Sequence, residues 1–113
     1  MVSSKNPAFL NGVPELLILQ CLRDRRMYGY ELVQAIRDAT GEHVVLAEGV
    51  VYPVLHMLER EGALSAERRT VNGRSRIYYA LTDRGTARLA DLADTWRRLT
   101  AAIGGVLGEP GHA

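Results

Sequence analysis

The sequence predicts a mainly α fold with a two-stranded β-hairpin and one long C-terminal helix. Three observations carry this expectation. Three segments within the first 62 residues place apolar side chains at helical spacing. Two alternating segments then flank Asn72-Gly73, the strongest short-range hairpin signal. Last, Leu89, Leu92, Trp96, Leu99, Ile103 and Val106 follow intervals of 3, 4, 3, 4 and 3, which is an a/d seam. A chain of 113 residues suits one domain with a modest core, so a second copy covering the seam would supply missing burial. The expected organisation is a unit of residues 1–82, a dimerisation helix over 83–107 and a disordered tail over 108–113.

Residues 1–12 read as a loose arm, with the first helix opening at Pro14, where a missing N–H costs nothing. "PELLILQCL" is apolar on most sides, which predicts a central, buried helix ended by Arg23 to Arg26. The second helix is expected from about Gly29 to Thr40, with Leu32, Val33 and Ile36 on one face and Gly41 as its stop. After "EHVVLAEG" comes the third, "AEGVVYPVLHMLEREG", whose Val51, Val54, Leu55 and Leu58 make one apolar face. The strands are "ALSAERRT" and "SRIYYALT", the second with Ile77, Tyr79 and Leu81 on one side and Arg74, Arg76 and Tyr78 on the other. Thr82 is a good N-cap for the last helix, with Asp83 well placed in its first turn.

The third helix is an awkward one. Pro53 lies within it, and Gly49 and Val50 stand where good helix formers are expected. A purpose for this composition follows from geometry. At 100° per residue Gly49, Pro53, His56 and Arg60 point away from the apolar face, with Tyr52 on the flank. A helix entering the major groove needs a slim N-terminal end, and glycine and proline provide one. The hairpin that follows carries four arginines and no acid between Arg68 and Ala80. Three helices, an arginine-rich hairpin and a seam match the winged helix-turn-helix plan.

Composition narrows the function further. Net charge is only +1, so affinity for nucleic acid must come from local charge. Thirteen of fourteen basic residues are arginine, which suits planar contacts with phosphate and guanine but also fits a general codon bias. Cys21 is the lone cysteine, in an apolar run, and reads as a structural thiol. No run reaches membrane-spanning length and no signal-peptide core is present, so a cytoplasmic location is expected. His43, His56 and His112 lack metal-ligand spacing, and no phosphate loop or nucleophile motif occurs. No metal, cofactor or enzymatic activity is expected.

The segments "LNGVPELLILQCL", "MYGYEL", "GVVYPVLHMLEREG", "GRSRIYYALTDRG" and "DTWRRL" resemble, in order, the PadR family of bacterial transcriptional regulators. The resemblance implies a winged-helix homodimer that represses its own or neighbouring genes and is released by a small molecule or another signal; the twofold symmetry of such a dimer then predicts an inverted-repeat operator in double-stranded DNA. It implies DNA contacts from Gly49, Val50, Tyr52 and Pro53, and wing contacts from Gly73, Arg74 and Arg76; His56 and Arg60 join them from the outward face. Two departures stand out. Ala47-Glu48-Gly49-Val50 replaces the family's common Ser-Pro-Gly-Thr, removing a cap and a hydroxyl and adding an acid, and Ile77 stands where a basic residue is common.

Trp96 lies mid-seam and fills the expected dimer core. With Leu92 and Leu99, among small neighbours such as Ala93 and Ala101, it also forms a candidate slot for a planar aromatic effector, and multidrug-binding members of the family hold a tryptophan at this position. A second function remains open from the residues: a dimeric winged-helix adaptor that contacts proteins and no longer binds DNA, which the Ala47 to Val50 departure favours and the arginine hairpin opposes.

Overall fold

The computed structural model describes residues 7–108. The elements are α1 (Pro7–Cys21), β1 (Met27–Tyr28), α2 (Gly29–Ala39), α3 (Glu48–Arg60), β2 (Leu64–Val71), β3 (Arg74–Leu81) and α4 (Asp83–Leu107). The mainly α fold with a hairpin wing and a long last helix is the one the periodicities predict. Residues 1–6 of the expected arm and 109–113 of the expected tail lie outside the described residues.

The core forms where the apolar faces converge. Ile18 and Leu19 of α1, Leu32 and Ile36 of α2, and Val51, Leu55 and Leu58 of α3 are fully buried. Val54 of α3 packs against them, so the expected inner face of this helix is the observed one. Tyr79 is buried as well, with Ile77 and Leu81 packed beside the core, which orients the wing by its apolar side. Asn72 and Gly73 both have positive φ, 51° and 77°, the type I′ geometry that matches strand twist.

Three expectations need correction. The first helix opens at Pro7, not Pro14, and residues 7–12 are helical rather than loose. The N1 rule fits Pro7, while Pro14 sits inside the helix and leaves one carbonyl without its backbone donor. The sheet has three strands in the order β1-β3-β2, because Met27 pairs with Tyr79 and Tyr28 with Tyr78. Two residues are too few to show an alternation in sequence. Finally, Leu89, assigned to the dimer seam, is 6% exposed within the chain's own core, and Leu92 packs against that core. Spacing alone does not say which core a seam residue joins.

One close approach ties the fold together where α3, the wing and α4 meet. The Ala63 carbonyl accepts the Thr82 N–H at 3.1 Å, and the Thr82 hydroxyl donates to the Gly62 carbonyl at 2.6 Å while accepting from the Gly85 N–H at 3.1 Å. Thr82 is thus the N-cap that the sequence predicts. Gly85 is buried, and a Cβ there would collide with the Ala63 carbonyl oxygen and with Leu81. Gly85→Ala should therefore destabilise the fold by about 2–3 kcal/mol, as overpacking against backbone does. A thermal melt checks this; an unchanged midpoint would mean that the junction yields without cost.

Candidate nucleic-acid interface

The outward face of α3 is open along its length. Gly49, Val50, Tyr52, Pro53, His56 and Arg60 are all exposed, while Val51, Leu55 and Leu58 alternate with them at 0% exposure. Pro53 is the sixth residue of α3, beyond the first turn, so it costs a backbone hydrogen bond. Ala47 is the N-cap and offers no side-chain acceptor; its carbonyl takes the Val50 and Val51 N–H groups at 2.9 and 3.1 Å. Glu48 stands in the first turn, the electrostatically favourable end for an acid. The missing cap and the extra acid noted in the sequence are both present.

Between α3 and the wing runs an open cleft of 420 Å³, lined by Tyr52, His56 and Glu59 from α3 and by Tyr28, Arg76 and Ile77 on the sheet side, among others. Tyr52 and His56 have ring centroids 6.3 Å apart. Tyr52 lies close over Gly29, where a Cβ would meet its ring carbons and hydroxyl, so the lack of a side chain at Gly29 seats Tyr52. Burial pushes the Tyr79 phenol above its ordinary pKa, and the Glu59 carboxylate and Tyr52 add to this.

Strand register sorts the wing into two faces, since directly opposed residues share a side. Glu67 opposes Tyr78, Arg69 opposes Arg76, and Val71 opposes Arg74. On the other side Ala66 opposes Tyr79, Arg68 opposes Ile77, and Thr70 opposes Ser75. Arg74 and Gly73 are exposed near the tip. Arg76 is half-buried, its guanidinium 4.3 Å above the Tyr28 ring centroid, and Tyr28 meets Tyr78 edge-on at 5.5 Å and 74°. β1 thus supplies the aromatic platform under Arg76.

Sequence reasoning missed Tyr28, Glu59, Arg68 and Arg69 as neighbours of this surface. The positive charge of Arg68 and Arg69 was visible, but Arg68 donates to the Ser75 hydroxyl at 3.0 Å and Arg69 pairs with Glu67 at 3.2 Å. Also missed was a brace outside the surface. Arg88 of α4 donates to Glu15 of α1 through Nε at 2.8 Å and Nη2 at 3.2 Å, and to Glu61 at 2.6 Å. These hydrogen bonds, that to Glu15 first, hold the Arg88 guanidinium well above its ordinary pKa.

The candidate effector residues lie elsewhere, on α4. Trp96 and Leu92 are half-buried, while Leu99, Ile103 and Val106 are 38%, 45% and 88% exposed. A slot between two indoles would need a second copy. Among the described residues no helix is long and apolar enough to cross a membrane, and no group of three or more His, Cys, Asp or Glu is placed to hold a metal ion.

Comparison with known proteins agrees with this architecture. The family model described as "Transcriptional regulator PadR-like family" matches residues 18–91. The transcriptional regulator Rv3488 of Mycobacterium tuberculosis is 36% identical over 83 residues, 74% of this chain and 75% of that protein. A transcriptional regulator from Clostridium thermocellum superposes with a TM-score of 0.80 at 26% identity, covering 93% of this chain and 97% of that one. PadR of Bacillus subtilis, in a crystal structure with operator DNA, superposes with a TM-score of 0.65 at 26% identity over 70% of this chain and 45% of that one. With the family match spanning the core helices, the wing and the start of α4, this chain belongs to the PadR-like family of transcriptional regulators.

Proposed function

We propose that the protein is a sequence-specific DNA-binding regulator that acts as a homodimer. The outward face of α3 enters the major groove, and the wing lies on the neighbouring backbone or minor groove. The observation that carries this reading is the meeting of two surfaces on one side of the molecule. Tyr52 and His56 on the exposed face of α3 and Arg76 of the hairpin line a single cleft. The relative from Bacillus subtilis, seen with operator DNA, supports DNA as the partner. Tyr52 and His56 are the base-reading candidates, with Gly49, Val50 and Pro53 permitting close approach and Arg60 contributing charge at the far end. In a twofold dimer the operator is an inverted repeat with half-sites roughly 34–36 Å apart. Its regulatory sense is repression, released when a planar aromatic compound binds beside Trp96, Leu92 and Leu99 of both copies.

A salt-dependent mobility shift on the region upstream of its own gene tests the core of this reading. Arg74→Ala and Arg76→Ala should each weaken binding on operator and random duplex alike and reduce the salt slope by about one unit. Tyr52→Phe should instead change preference at particular base pairs, by about 1–3 kcal/mol. Wild-type slopes in both arginine variants would remove the wing from the interface. No salt-dependent binding by the wild-type protein would leave the adaptor reading, for which Glu48 and the uncapped start of α3 speak.

A further inference from the structure

Glu67 is the sole acid of the hairpin between Leu64 and Leu81. Its carboxylate bridges two arginines from different parts of the chain. Arg26, in the turn between α1 and β1, donates at 2.8 Å, and Arg69, two residues along β2, pairs through Nε at 3.2 Å. All three side chains are well exposed, at 57% for Glu67 and 44% for each arginine. Strand register puts Glu67 and Arg69 on the same wing face as Arg74 and Arg76. Hydrogen bonding and charge from Arg69, and then from Arg26, hold the Glu67 carboxyl below its ordinary pKa, so it stays ionised at neutral pH.

An exposed ion pair contributes little to folding stability, so the fold has small need of this bridge. Its larger consequence is electrostatic. Sequence-independent binding to DNA is driven by cations that displace counterions from phosphates, and each contact adds about 0.9 units to the salt slope. A guanidinium already neutralised by a fixed carboxylate displaces fewer counterions, and that carboxylate repels the phosphates it faces. Base readout by α3 is untouched by either effect. We propose that Glu67 is an internal counterion of the wing that withholds Arg26 and Arg69 from phosphate and so suppresses sequence-independent binding to DNA. The inference rests on the reading of the wing as a DNA contact.

The test is Glu67→Gln in the full chain, with binding to a random-sequence duplex followed by fluorescence anisotropy over a sodium chloride series. The salt slope should steepen by about one to two units, one for each released arginine that reaches phosphate. Random-duplex affinity at low salt should rise several-fold, and the thermal midpoint should barely move. Adding Arg26→Gln to Glu67→Gln should return about one unit of slope. Asp94→Asn removes the same charge from an exposed pair with Arg98 on α4, and should leave the slope at its wild-type value. An unchanged or shallower slope in Glu67→Gln overturns the proposal and makes the bridge a mere brace. An equal steepening in Asp94→Asn overturns it too, by assigning the effect to overall charge. If the wild-type protein has no salt-dependent affinity for DNA, the wing reading and this inference fall together; if it binds and only the Glu67 variant fails to respond, the wing reading stands alone.

Discussion

Leu99→Asp is expected to yield a folded monomer with little operator binding. Leu99 is 38% exposed in the single chain, and Ile103 and Val106 beside it on the seam are more exposed still. In the proposed dimer their burial comes from another copy, and a charge at position 99 leaves the chain's own core intact. Leu92→Asp would be a poorer test, because Leu92 packs against that core and its loss mixes folding with association. In a twofold interface each substitution enters twice. Two unpaired carboxylates buried at about 2 kcal/mol each weaken the dimer roughly a thousandfold. Sedimentation should then report a monomer at micromolar concentration, with a thermal melt close to that of the wild-type protein. A dimer of undiminished strength would place the subunit contact elsewhere.

The largest effect on stability is expected from Arg88→Ala. Glu15 is 8% exposed and its carboxylate is held by two Arg88 nitrogens. Removing the guanidinium leaves an acid inside the α1–α4 contact with no cation, while Glu61 at the end of α3 also loses its partner. Breaking such a pair costs about 3 kcal/mol, the low end of the range, since Arg88 itself keeps some solvent contact. A second arm separates charge from packing: Glu15→Gln in the Arg88→Ala background should recover part of the loss, because a neutral amide is cheaper to bury. Denaturant unfolding of the three proteins gives the comparison. Equal stability of wild type and Arg88→Ala would reduce the network to surface decoration.

The outward face of α3, the Asn72-Gly73 turn and the Thr82 cap were legible because each depends on residues a few positions apart. The brace and the Glu67 bridge were not, because Arg88 and Glu15 are 73 positions apart, Arg88 and Glu61 27, and Arg26 and Glu67 41. No periodicity records such meetings. β1 escaped notice for another reason: it is an edge recruited by β3 rather than a strand with a pattern of its own. At the N-terminus the proline rule was sound but had two candidates, Pro7 and Pro14, and propensity alone does not choose between them. The candidate site was legible on α3, where face and exposure follow from helix geometry. On the wing, composition gave the charge, and only the register and the Tyr28 platform assign each arginine its surroundings.

The open end of the hairpin makes this chain unevenly tolerant of added length. Nothing lies within 4 Å of a Cβ built at Gly73, and β2 and β3 stay paired from Leu64 with Leu81 out to Val71 with Arg74. Extra residues between Asn72 and Gly73 would meet solvent alone, and each doubling of a loop costs only about 0.6 kcal/mol in closure entropy. One added residue between Thr82 and Gly85 would instead move the cap off the Gly62 and Ala63 carbonyls, where no slack exists. The length of the wing is thereby a quantity that insertion can lengthen or deletion shorten, while the angle at which it leaves the core stays fixed by the Thr82 bonds and the close approach at Gly85.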